Sequence, residues 1–145
     1  MNERFLFRGK GKNENSIYYN KWVFGNLIYK NDEPHIFHSA ISDTILFPAT
    51  LGQCTGLKDK NGKLIFEGDI AIVIIDGKSY IGTIEFHAAC YFFKCSAENT
   101  AIDLHNIIKS NIEATGNIHD TPDLLQRPRT KNKNAKGEKS CKDGL

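Results

Sequence analysis

The chain has 145 residues, 40% hydrophobic and 25% charged, which suits one soluble globular domain or a domain with a small appendage. Its strongest apolar run, Ala71–Gly77, falls far short of the roughly 20 residues a transmembrane helix needs, so the composition excludes a helical membrane protein. The net charge of +2 is unevenly spread: residues 126–145 hold seven Lys/Arg against two acids and residues 1–125 hold twelve against fifteen, so a mildly acidic body precedes a basic tail.

The first residues, "MNERFLFRGK", mix charge into their apolar positions and lack the h-region of a signal peptide, so a cytoplasmic location is expected. "RFLFRG" alternates. "GKGKNENSIYYNK" reads as a loop, and "WVFGNLIY" (Trp22–Tyr29) as an aromatic, β-branched strand with Gly25 at a bulge or a close backbone approach. "KNDEP" turns the chain and "HIFHSA" is a short strand. "TILFPATLG" adds an edge strand that Pro48 ends. These pieces predict an N-terminal antiparallel meander over residues 1–52.

"GQCTGLKDKNGKLIFEGD" (Gly52–Asp69) holds four glycines and six charged residues, and reads as punctuation rather than as an element. Asn61-Gly62 is the preferred pair for a two-residue type I′ turn, because both residues tolerate positive φ. Glu67-Gly68-Asp69 is a second turn. Ile70–Ile75 then forms a near-continuous apolar strand, Asp76-Gly77 a further two-residue turn, and Ser79–Phe86 an alternating strand with Tyr80, Gly82, Ile84 and Phe86 on one side. "CYFFKC" (Cys90–Cys95) follows as a strand. Thr100–Ser110 stays open, since Leu104, Ile107 and Ile108 also fit a helical stripe. Asn111–Ile118 is a closing strand, and Thr121-Pro122-Asp123 starts a single helical turn. Residues 127–145 lack the apolar side chains a packed segment needs and are expected to be disordered. The expectation is a mainly β protein: an SH3-like small β-barrel over residues 53–126, preceded by the meander, with short helical turns.

Several chemistries can be weighed directly. A phosphate loop needs four residues between its glycines and then Lys-Ser/Thr; Gly52 and Gly56 enclose three, and strands follow. His87, Cys90 and Cys95 offer three metal donors, but the second close-spaced pair of a zinc site is missing, and the odd separation of Cys90 from Cys95 puts them on opposite faces of a strand. Buried, reduced cysteines are expected instead. Glu67 with Asp69, and Asp103 with His105, are spaced for a shared strand face, yet no nucleophile elbow or zinc-protease motif is present, and His35 and His38 have no evident partner. No catalytic, cofactor-binding or metal-binding residue is assigned. The basic tail (Arg127, Arg129, Lys131, Lys133, Lys136) is a candidate phosphate-contacting segment, with Tyr18, Tyr19, Trp22, Tyr91 and Phe93 as stacking platforms wherever they are exposed.

"GQCTGLKDKNGKLIFEGDIAIV" resembles the signature of the YopX family of small phage- and prophage-encoded proteins. "RFLFRG", "WVFGNLIY" and "IEATGNIHDTPDLL" extend the likeness to about 120 residues. The resemblance implies a mostly β protein with an SH3-like barrel, a bacterial host cytosol as its location and no assigned activity. It also implies a packing role for Cys54, where the family often has an aromatic residue. The expected function is therefore non-enzymatic: a phage or prophage accessory module that binds an unidentified protein partner or self-associates. The charged tip Lys58, Asp59, Lys60, Asn61 and Lys63 is its candidate partner surface. A nucleic-acid-binding module is the alternative, and a small metal-dependent enzyme the third.

Overall fold

A computed structural model describes residues 3–39 and 41–126. The expectations for residues 127–145, including the candidate contacts Arg127, Arg129, Lys131, Lys133 and Lys136, lie outside the described residues. The chain divides into two compact units, with the boundary after Leu57.

In the N-terminal unit, β1 (Phe7–Lys10), β2 (Trp22–Lys30), β3 (Glu33–Ser39), β4 (Ser42–Ile45) and β5 (Gly52–Lys58) form an antiparallel sheet in the order β4-β3-β2-β1-β5. Asn31 and Asp32 link β2 to β3 at φ of 51° and 64°, the left-handed pair that matches the twist of a hairpin. Past β4 the chain returns to β1: the Lys12 N–H donates to the Ile45 carbonyl at 2.9 Å, and the Phe47 N–H donates to the Lys10 carbonyl at 2.8 Å. This return buries Leu46 with Val23 and Ile36, and Phe7, Tyr18 and Leu51 pack around them. Gly25 is a close approach and not a bulge. The register runs through it unbroken, and a Cβ there would lie 2.1 Å from the Phe37 carbonyl oxygen. Pro48 opens a 3-10 turn, Pro48–Thr50, and so does mark the end of the edge strand.

In the C-terminal unit, β6 (Leu64–Phe66) is followed by β7 (Asp69–Ile75), β8 (Lys78–His87), β9 (Cys90–Cys95), β10 (Thr100–Asp103) and β11 (Ile112–Asn117). The last five form an antiparallel sheet in the order β10-β9-β8-β7-β11. Alternation sends Ala71, Val73, Ile84, Phe93 and Cys95 to one face, where Ile65, Leu104 and Ile112 complete the core. Each large side chain buried there contributes about 1.5–3 kcal/mol. Gly82 and Ile84 lie on this inner side as expected, and Tyr80 packs against the core. Asp76 and Gly77, at φ of 51° and 80°, make the expected turn between Ile75 and Lys78. The molecule is thus mainly β, built of two antiparallel sheets, and no closed barrel is found among the described residues.

Several local expectations are corrected. Gly52–Lys58 is a strand rather than a turn region, because pairing with β1 (Phe7 with Gln53, Arg8 with Gly52) supplies the hydrogen bonds that glycine-rich sequence alone does not promise. Asn61-Gly62 is not a two-residue type I′ turn. Asn61 is not among the positive-φ residues, only Gly62 reaches a left-handed φ (80°), and the loop of residues 60–62 is closed by Asp59 N–H to Lys63 O at 2.8 Å and Gly62 N–H to Asp59 O at 3.0 Å. Thr100–Ser110 holds β10 and two short 3-10 turns, Leu104–Asn106 and Lys109–Asn111, rather than an α-helix. Cys54 and Cys95 are buried, but Cys90 is exposed, opposite His87 beside the Ala88-Ala89 turn. Thr121 precedes the 3-10 turn Pro122–Leu125, as expected for an N-cap. Its hydroxyl, however, donates to the Asn117 carbonyl at 3.2 Å and accepts the Asn117 N–H, also at 3.2 Å, instead of capping.

Candidate functional site

Asp59 accounts for much of the charged Thr-Gly-Leu-Lys-Asp-Lys-Asn-Gly-Lys stretch. It is fully buried. One carboxylate oxygen accepts the N–H groups of Asn61 and Lys63, both at 2.9 Å, and the other accepts the Ala114 N–H of β11 at 3.0 Å. Burial works to raise its pKa, but the N–H groups of Ala114, Lys63 and Asn61, with the Lys63 charge, outweigh it and hold the carboxyl below its ordinary value. Asp59 therefore drops out of the predicted partner surface. A carboxylate at this position organises the loop from inside, and Lys58, Lys60, Asn61 and Lys63 stay exposed around it. Lys60 forms an ion pair with Glu113 at 3.3 Å in which both side chains are exposed; such pairs contribute little. Asp69, the second buried carboxylate, accepts the Phe66 N–H at 2.8 Å. Among the described residues, no group of three or more His, Cys, Asp and Glu side chains is placed to hold a metal ion.

The predicted stacking residues are split between surface and core. Phe93 is in the C-terminal core, and Tyr91 packs against it with its ring 4.9 Å from that of Phe86. Tyr18 packs on the N-terminal core, 4.7 Å from the His38 ring. Tyr19 is exposed, and Trp22 is half-buried.

Trp22 belongs to a row that only the register reveals. Lys10 pairs with Trp22, Arg8 with Phe24, Asn26 with Phe37, and Ile28 with His35, while Phe37 and His35 face Asp43 and Ile45 of β4. Residues directly opposite share a face. The side of the N-terminal sheet away from Val23 and Ile36 thus carries Lys10, Trp22, Phe24, Ile28 and Phe37, with Arg8 on the same side but buried. Phe24 is 47% exposed, Ile28 39% and Phe37 36%. Cations sit on these rings: the Arg8 guanidinium lies 4.6 Å and the Lys10 ammonium 5.3 Å from the centroid of Trp22, and the Lys30 ammonium lies 5.6 Å from that of Phe37. Lys30 also donates to Asp43 at 3.1 Å, and His35 Nδ1 lies 2.8 Å from the same carboxylate oxygen. The Lys30 hydrogen bond holds the Asp43 carboxyl below its ordinary value; desolvation opposes it and His35 reinforces it. The sequence reading left both histidines without partners. His35 has Asp43, and His38 has the Thr44 hydroxyl at 2.8 Å and the Tyr18 ring. Antiparallel pairing of β3 with β4 brings these groups together, and a single strand read alone cannot show it.

The fold defines a small, mainly β protein of two antiparallel sheets. The profile of the YopX protein family matches residues 6–126, and the chain belongs to that family. No curated protein matches the chain. Cys54, which the resemblance assigned to packing, is fully buried. No helix among the described residues is long and apolar enough to cross a membrane.

Proposed function

We propose that this YopX-family chain is a non-enzymatic accessory protein of a phage or prophage that acts in the bacterial cytoplasm by binding, and that its binding site is the outer face of the N-terminal sheet. The observation that carries the reading is the exposure of Phe24, Ile28 and Phe37 together on one side of β2 and β3. Side chains of this kind grouped on a rigid sheet favour an interaction surface. The buried carboxylates Asp59 and Asp69 are engaged by backbone N–H groups, which fits a structural role better than acid–base work. In this reading the partner is a protein or a second copy of the chain, and the exposed Lys58, Lys60, Asn61 and Lys63 of the C-terminal unit are a separate candidate contact surface. The C-terminal unit serves as an SH3-like scaffold. Its five short antiparallel strands support that description, as does the Lys60 N–H donated to the Ile112 carbonyl at 2.9 Å along the outer edge of β11.

A second reading, nucleic-acid binding, is favoured by the placement of Lys10 on Trp22 and Lys30 on Phe37. Affinity capture of the full chain from induced host cells, with and without nuclease, tests both. A protein recovered in both conditions supports the first reading. Nuclease-sensitive capture supports the second. Recovery of neither a protein nor nucleic acid refutes the binding role.

A further inference from the structure

We propose that His87 and Cys90 form half of a zinc site, and that a second copy of this chain supplies the other half. His87 ends β8, Cys90 begins β9, and the two pair directly across the Ala88-Ala89 turn. Residues paired in this way stand on one face of the sheet with Cβ atoms about 4.5–5.5 Å apart. That spacing lets one ion take a thiolate at about 2.3 Å and an imidazole nitrogen at about 2.0–2.1 Å. Both residues are exposed, whereas Cys54 and Cys95 are buried. Among the described residues, neither side chain makes a hydrogen bond, an ion pair or a ring contact; His35 and His38, by contrast, are engaged by Asp43 and Thr44. The hairpin thus holds an imidazole and a thiol side by side, in water, with no other use for either.

Two donors do not close a zinc shell, and no third His, Cys, Asp or Glu side chain among the described residues is placed to join them. Structural zinc takes four ligands in a tetrahedron. A two-fold axis through the ion doubles the pair to two cysteines and two histidines, so the close-spaced pair missing from one chain comes from its copy. Thiolate and imidazole ligands in that geometry suit zinc. Cys90 gives its thiol proton to solvent as the zinc–sulfur bond forms, and His87 binds as the neutral imidazole. The hairpin end permits the approach: residues 85–90 are all exposed, and the two at the turn are alanines with small side chains. Glu85, two residues before His87 on the same strand face, adds a carboxylate that favours a cation there. The site lies in the C-terminal unit and is independent of the outer face of the N-terminal sheet.

The full chain carrying Cys141→Ser is stripped of metal, kept reduced with a phosphine and titrated with zinc chloride in sedimentation velocity. A dimer should form at about one zinc ion per two chains and revert with EDTA. Cobalt in place of zinc should give the visible absorption of a tetrahedral thiolate site. Cys90→Ser and His87→Ala should each raise the zinc needed for dimerisation more than about ten-fold, with an unchanged circular dichroism spectrum. One readout needs no substitution at the site: zinc should protect Cys90 from a thiol reagent that modifies it in the metal-free chain. A monomer at saturating zinc, a dimer that survives either substitution at the same zinc concentration, or equal reactivity of Cys90 with and without zinc would overturn the proposal. A dimer seen only when the reductant is left out is a Cys90–Cys90 disulfide and overturns it as well. Any of these results leaves the reading of the N-terminal face to its own capture experiment.

Discussion

Replacing Asp59 with Asn removes one charge and almost no volume, so it isolates what the buried carboxylate does. The amide oxygen can still accept the Asn61 and Lys63 N–H groups at the loop, which are partly accessible to water. The amide nitrogen must then face the Ala114 N–H, a donor against a donor in a fully buried position. Leaving that N–H unmet costs about 1–3 kcal/mol, and the two remaining bonds weaken as their acceptor becomes neutral. Asp59→Asn is therefore expected to destabilise by about 2–3 kcal/mol. Asp59→Ala, which also releases the two loop N–H groups, should cost about 3–5 kcal/mol. Urea unfolding followed by circular dichroism gives the energies, and amide hydrogen exchange at Ala114 gives the location. The pH dependence has a defined sign. The folded-state pKa lies below the ordinary 3.8, so the contribution is fully present above that value and is lost as pH falls through the folded value. Asp59→Asn should lack that part of the acid destabilisation. Wild-type stability in Asp59→Asn, together with an Ala114 amide that exchanges no faster, would refute this account of the Asp-Lys-Asn-Gly-Lys motif.

The hairpin between β8 and β9 places Ala88 and Ala89 at φ of 53° and 67°. A left-handed backbone costs an alanine about 1–2 kcal/mol, so the double change Ala88→Asn, Ala89→Gly should raise stability by about 1–2 kcal/mol in thermal unfolding. Gly25→Ala pushes a methyl group against the Phe37 carbonyl and should lower stability by about 1–3 kcal/mol, with accelerated exchange along the β2–β3 ladder. In a Cys141→Ser background, a thiol reagent should modify Cys90 within the native protein and reach Cys54 and Cys95 only on unfolding; rapid modification of all three would contradict the burial described.

Legibility in the sequence followed local chemistry. Asp76-Gly77 could be read because both residues favour the left-handed region that a two-residue hairpin needs. Ala88-Ala89 adopts the same conformation with no such signal; the pairing of His87 with Cys90 imposes it. Gly52–Lys58 looked like a turn because glycine promises freedom, and pairing with β1, more than forty residues earlier, helps to make it a strand. The outer face of the N-terminal sheet was half visible. In "WVFGNLIY" both alternating sets are apolar, so periodicity marks a strand without saying that Val23 faces in and Phe24 out. Arg8 and Lys10 reach Trp22 through β1–β2 pairing, which no single segment encodes. Asp59 read as one more surface charge, since an acid in a lysine-rich loop is indistinguishable in sequence from a carboxylate held inside it.

The place of β1 in the N-terminal sheet governs how this chain can be trimmed or tagged. It lies between β2 and β5, and its end also receives the segment following β4. Cutting away residues up to Lys10 would not shave a periphery. It would take out the plank to which two other strands are fastened and leave both with bare, sticky margins open to unwanted pairing. Affinity handles are better attached at the opposite terminus.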